Sequence, residues 1–384
     1  MNKPEEQLSI KQLLMVMEKR EASDLYITAG MPPSLRINGV VHPMKQGPLT
    51  PLQCAKLANS AMSERQRAAF AAEYEMNLAI AFPDIGRFRV NVFRQRSHVG
   101  MVIRKVKTEV PTIDRMGLPE IFKDISMSPR GLVLMVGTTG CGKSTSLAAM
   151  IDWRNSNQAG HIISIEDPIE FVHEHKKCVI TQREVGTDTL EYQTALKNTL
   201  RQAPDVIMIG EIRDRETMEL ALEFAETGHL CMATLHANNA NQALERIINF
   251  FPEEMHPQVC LNLALNLKSI LSQRLVKTPD ESRVAAIEIL INTPRIADLI
   301  GQWAVAEIKE VMASGKNYGM QTFDQHLLQL WAEGVVSEDE ALRQADSVNN
   351  LRLQIKMVSL EDQGDDAADL EQLSGNMNSE GLRI

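Results

Sequence analysis

The residues with the plainest chemical meaning lie near the middle of the chain. Gly137, Thr138, Thr139, Gly140, Cys141, Gly142, Lys143, Ser144 and Thr145 fit the pattern GxxxxGK[ST]. In a chain of 384 residues a chance match is on the order of one in a hundred at ordinary residue frequencies. Glycines let such a loop turn its backbone N–H groups inward around an anion. A helix beginning there adds the positive end of its dipole. Lys143 then reaches the β- and γ-phosphates as a point charge, and the Ser144 hydroxyl binds Mg²⁺. The flanks agree: residues 131–136 form a continuous apolar run, and Leu147, Met150 and Ile151 follow at helical spacing. The motif therefore predicts a phosphate cradle between a strand and a helix. Cys141 reads as a small residue whose backbone, rather than its thiol, matters to the loop.

Two further apolar runs end in acids. Residues 162–165 lead into Glu166, Asp167 and Pro168, and residues 206–209 lead into Gly210 and Glu211. In parallel α/β sheets the carboxyl ends of the strands face the ligand. Where an aspartate commonly follows such a run, this chain has Gly210, with its acid one place later. Contact of Glu211 with Mg²⁺ through water is expected in place of direct ligation. A third run, residues 230–233, is followed by Thr234, His236 and Asn238 and preceded by His229. Hydroxyl, imidazole and amide groups at a strand end can sense a γ-phosphate.

The elements that must hold these groups can be read from the surrounding pattern. Strand-like runs at 131–136, 161–165, 206–209 and 230–233 alternate with helical runs, which predicts an α/β domain with a parallel sheet. Beyond Pro257 the pattern reads as mainly helical. Before Lys107 the pattern differs. A helix is predicted over 9–20 and another over 50–75, with short strands near 24–29, 35–41, 78–82, 86–93 and 100–106. Asn38-Gly39 marks a turn inside the second of these strands. This is an α+β domain over 1–106, joined by a linker at 107–119 to a domain at 120–357. Residues 358–384 hold seven acids and one base, a charge of −6, and read as a disordered acidic tail.

Composition narrows the function. The net charge of −10 is the wrong sign for a protein that wraps nucleic acid. Arg87, Arg89, Arg94, Arg96, Arg104, Lys105 and Lys107 do cluster without an acid between 85 and 107. Nucleic-acid binding, packing against ATP or a neighbour's acidic surface, and plain solvated strand faces all stay open for that cluster. The five cysteines are far apart, which favours neither disulfides nor zinc. The N-terminus lacks the pattern of a signal peptide, and no window is apolar enough to span a membrane. The expected location is cytoplasmic.

Taken together, residues 165–170, 201–214 and 228–238 resemble the Asp box, Walker B and His box of the secretion ATPases. Residues 23–33 and 86–91 resemble the PilT/PilU branch, the type IV pilus retraction ATPases, over about 12–357. The spelling of the phosphate loop and the acidic extension lean toward its PilU members. The resemblance implies a hexamer in which each chain has a PAS-like N-terminal domain and a RecA-like ATPase domain, using ATP and Mg²⁺. It implies that Glu166 polarises the attacking water, Glu211 supports Mg²⁺ and His236, with His229, senses the γ-phosphate. Arg104, Arg213, Arg246 and Arg274 are candidates to complete the site. It further implies peripheral placement at the inner-membrane pilus base, with a PilT-like motor and a pilus platform protein as partners. Hydrolysis would power or assist pilus retraction and twitching motility. A weakly hydrolysing ATP-binding module that docks on a related motor is the alternative, and a nucleic-acid translocase the third reading.

Overall fold

The computed structural model describes residues 8–106 and 109–363. It divides into two compact units. The first comprises the described residues of Met1–Val110 with Ile165–Glu174 and Gln182–Ala195. The second comprises Pro111–Ser164, His175–Thr181 and the described residues of Leu196–Ile384.

The first unit is built on a sheet of β1 (Asp24–Ile27), β2 (Ser34–Ile37), β3 (Val40–Pro43), β4 (Glu75–Phe82), β5 (Gly86–Gln95) and β6 (His98–Lys105). The strand order is β3-β2-β1-β6-β5-β4, with antiparallel pairing. Asn38 and Gly39 both take positive φ, 49° and 83°, as a two-residue hairpin turn requires. That turn splits the single expected stretch at 35–41 into β2 and β3. The helix Ile10–Lys19 lays Leu13, Leu14 and Met17 into the core beside Leu25, Phe88, Val90 and Ile103. The helix expected over 50–75 is two helices, Pro51–Ala61 and Glu64–Glu73. The break falls at Ser63, whose side chain caps Gln66 N while Gln66 bonds back, a capping box that starts a new helix.

The second sheet contains β7 (Gly131–Val136), β8 (Gly160–Glu166), β9 (Cys178–Glu184), β10 (Val206–Ile209), β11 (Leu230–Leu235), β12 (Leu267–Lys277) and β13 (Arg283–Ile291). Their order is β13-β12-β7-β11-β10-β8-β9. β10, β11, β7 and β12 run parallel, and β13 returns antiparallel to β12. β7, β10 and β11 are buried at every residue, which is why they read as unbroken apolar runs.

Beyond Pro257 the chain is mainly helical, as expected, but it also holds two strands the pattern did not show, β12 and β13, which are the longest of the sheet. Their two-sided burial removes the alternation that would have marked them as strands. The acidic extension also does not begin at 358 as a tail: the helix Val348–Gln363 runs through its first residues, and 364–384 lie outside the described residues. Among the described residues no helix is long and apolar enough to cross a membrane.

One buried histidine ties the helical part to this sheet. His326 Nδ1 accepts from Ile287 N–H of β13 at 2.8 Å, and burial pushes its pKa down. An imidazolium would present N–H to N–H. Stability from this contact is present above the ordinary histidine value of about 6.5 and is lost as pH falls through the lower folded value. The denaturant midpoint is expected to drop between pH 6.5 and 5, with a shallower slope in His326→Leu.

Candidate nucleotide site

The loop after β7 has the backbone its motif demands. Gly137, Gly140 and Gly142 hold φ of 152°, 79° and 92°. Gly142 is the N-cap of the helix Lys143–Asn157, so the loop feeds directly into a helix N-terminus. Lys143 is buried, and its ammonium donates to the carbonyls of Gly137 at 2.8 Å and Thr138 at 2.9 Å. Phosphate oxygens would replace those carbonyls as acceptors. Ser144 is the second residue of that helix. Cys141 is buried and its thiol is pushed up by that burial, against the pull of Lys143. It is therefore a protonated small residue and a poor nucleophile.

The exits of β10 and β11 are stitched together. Thr234 Oγ1 donates to the Gly210 carbonyl at 2.5 Å, and Ile212 N–H donates to Thr234 O at 2.9 Å. This places Glu211 beside His236, with Oε1 3.1 Å from Nε2, while Oε2 meets Arg213 Nε at 2.8 Å. Burial and the Lys143 charge lower the His236 pKa, and Glu211 opposes them only in part. The imidazole is thus neutral near pH 7, with its Nε2–H toward Glu211. Lys143, Glu211, Arg213 and Arg246 all lie within electrostatic reach of His236. Strand ends that meet in the sheet thus gather a cation, a carboxylate and a neutral imidazole.

Glu166 ends β8 and is buried, accepting from Gln182 Nε2 at 3.1 Å. The same amide nitrogen donates to Phe171 O at 2.9 Å, so the carboxylate is held from a fixed position.

Residues 2–317 match the family described as Type II/IV secretion system protein. The chain is 56% identical over 356 residues to the type IV pilus ATPase PilU of Pseudomonas aeruginosa, covering 92% of this chain and 93% of that one. This chain belongs to the type II/IV secretion family, in its PilT/PilU branch. It is also 44% identical to the pilus retraction ATPase PilT of the same organism, over 88% of this chain and 98% of that one. A crystal structure of the pilus retraction motor PilT with bound ADP superposes with a TM-score of 0.84 at 39% identity. It covers 90% of this chain and 99% of that one. The fold is the secretion ATPase fold, an N-terminal domain followed by a RecA-like ATPase domain.

Within this PilT/PilU-branch chain the other expected residues separate. His229 is not at the phosphate end. It precedes β11, and its carbonyl accepts from Gly131 N–H at the start of β7. Its ring bonds to Thr227 and Phe224. At about 3.3 Å per residue, β11 sets His229 and His236 roughly 20 Å apart. Arg104 pairs with Asp24 at 2.8 Å. Arg274 pairs with Asp346 at 2.6 Å and lies 3.9 Å from the Phe323 ring centroid. Arg213 and Arg246 are the two candidates whose charge is felt at His236. The basic run of the first unit is likewise engaged: Arg87 with Glu184, Arg89 with the Ile169 carbonyl, Arg94 over Tyr74 and Lys105 with Glu18. A polar cavity of about 620 Å³ borders Thr138 and is lined by Asn238, Gln242, Gln273, Arg274 and Lys309. Gln273 and this cavity carried no signal in the sequence.

Proposed function

We propose that the chain is an ATPase that binds ATP with Mg²⁺ at residues 137–145 and hydrolyses it to power or assist type IV pilus retraction. The observation that carries this reading is the gathering of Lys143, Glu211 and His236 at neighbouring strand ends in a member of the PilT/PilU branch. The residues suit the group: a buried ammonium already donating to carbonyl oxygens, three positive-φ glycines and a helix N-terminus favour a polyphosphate. When bound, Mg²⁺ supplies neutralisation of the charge that develops on the phosphates. Lys143 holds the outer phosphates, Ser144 supplies a hydroxyl for the metal, and Glu211 supports it through water. Glu166 polarises the attacking water. His236, its neutral ring oriented by Glu211, senses the γ-phosphate.

The assembly we propose is a homo-hexamer at the inner-membrane pilus base, partnered by a PilT-like motor and the pilus platform protein. It drives twitching motility by movements that hydrolysis imposes on the ring. The net charge of −10 and the pairing of Arg87, Arg89, Arg94 and Arg104 within the first unit favour this reading over a nucleic-acid translocase.

Steady-state phosphate release by the purified protein, with its mass in solution, tests the proposal. A hexamer with turnover is the expected result, and a monomer without it would sink the motor reading. The pH profile adds a second check. The His236 pKa is lowered, so the neutral form persists down to about pH 6.5 and is lost below it. Turnover should be level from pH 8 to 6.5 and then fall, and His236→Asn should lower the plateau and remove that acid limb.

A further inference from the structure

We infer that Gln273 on β12 is a positioning residue for the nucleotide loop, holding the joint between loop and helix in its anion-binding shape. This rests on reading residues 137–145 as the nucleotide site. Gln273 is 1% exposed and follows Ser272, which is in register with Val136 at the end of β7. Its carboxamide is used at both ends. Nε2 donates to the Cys141 carbonyl at 2.8 Å, and Oε1 accepts from Ser146 Oγ at 2.7 Å. Cys141 is in the turn and Ser146 is in the helix, so one amide bridges the two.

The glycines point to the same residue. A Cβ on Gly137 would stand 2.5 Å from the Gln273 carbonyl oxygen, and one on Gly142 would stand 2.8 Å from Gln273 Nε2. A Cβ on Gly140 would meet nothing within 4 Å. Gly140 is thus required by its backbone angle alone, whereas Gly137 and Gly142 are required also because Gln273 closes on them. The orientation matters chemically. The C=O and N–H of one trans peptide point in opposite directions. Holding the Cys141 carbonyl on β12 therefore turns the Gly142 N–H away from β12 and fixes it there. A loop that binds phosphate with backbone N–H groups gains affinity when those groups are fixed before the ligand arrives.

The adjacent residue on the strand works elsewhere. Ser272 Oγ donates to Glu288 Oε1 at 2.9 Å, and that carboxylate accepts from Ala240 N–H at 2.8 Å. Ser272→Ala thus perturbs the same strand without touching the loop, and serves as a control.

The test is titration of the full chain with Mg²⁺ and the fluorescent probe N-methylanthraniloyl-ADP, alongside thermal melts. Gln273→Ala leaves the buried Cys141 carbonyl and Ser146 hydroxyl unpaired, and its affinity should fall at least about tenfold. Gln273→Glu keeps the shape and the Ser146 acceptor but loses the donor to Cys141, so it should also weaken binding. Ser272→Ala should lower the melting temperature and leave affinity within twofold. Affinities of both Gln273 variants within twofold of wild type would overturn the proposal, as would losses no larger than in a Ser272→Ala protein of equal melting temperature. If Gln273→Ala does not fold, Gln273→Glu decides. Wild type and Lys143→Ala fix the frame. Binding by neither, or equally by both, overturns the nucleotide reading and this one with it. Lys143-dependent binding that ignores Gln273 overturns this one alone.

Discussion

Lys143→Ala should lower ATP turnover by roughly 100-fold or more while leaving the fold intact. The loss follows from what the side chain faces. Lys143 is the cation whose ammonium lies against the carbonyls of Gly137 and Thr138, inside the turn that the motif reserves for phosphate. Removing a preorganised charged donor from a water-poor site typically costs two to three orders of magnitude in rate. A hundredfold loss corresponds to about 2.7 kcal/mol of transition-state stabilisation. The stability effect should be much smaller. The two carbonyl contacts are lost, but so is the cost of keeping an ammonium out of water, and these largely offset. Phosphate release and a melting curve on the same sample separate the two effects. Turnover unchanged within threefold would remove residues 137–145 from the mechanism.

The loop after β7 and the strand ends beside it were legible because their signals are local. Gly137, Lys143 and Ser144 are close in sequence, and β7, β10 and β11 are short apolar runs with no other sensible reading. The Asn38-Gly39 hairpin was legible for the same reason. β12 was not. Leu267, Ile270 and Leu271 recur at helical spacing, and a strand buried on both faces shows no alternation to contradict them. Gln273 was invisible because a lone polar residue in an apolar run has no motif. Its partners lie 127 and 132 residues away, and only the parallel pairing of β12 with β7 brings them together. His229 misled for the opposite reason. It is seven residues from His236, but a six-residue strand separates them, so proximity in sequence became opposite ends of a sheet. The arginines were ambiguous because a guanidinium bonds any carboxylate or ring within reach, and Asp24, Asp346 and Phe323 come near Arg104 and Arg274 only after folding.

Glu166→Gln should lower kcat by about two to four orders of magnitude with little change in nucleotide affinity. The substitution keeps the size of a side chain that is buried at the end of β8, and its amide oxygen still accepts from Gln182 Nε2. What disappears is the negative charge and with it the ability to draw a proton from water. On the proposed reading, binding depends on Lys143 and the loop amides, which the substitution leaves alone. A KM or ADP affinity within threefold of wild type, beside a collapsed kcat, is therefore the expected pattern. Glu211→Gln should behave differently. It weakens the hold on His236 and Arg213, so its loss should grow as Mg²⁺ is lowered. Equal turnover in wild type and Glu166→Gln has two separable meanings. If both are fast, Glu166 does not polarise water. If both are slow while ADP binds through Lys143, the isolated chain is an ATP-binding module, and addition of a PilT-like motor should then restore hydrolysis that Glu166→Gln again removes.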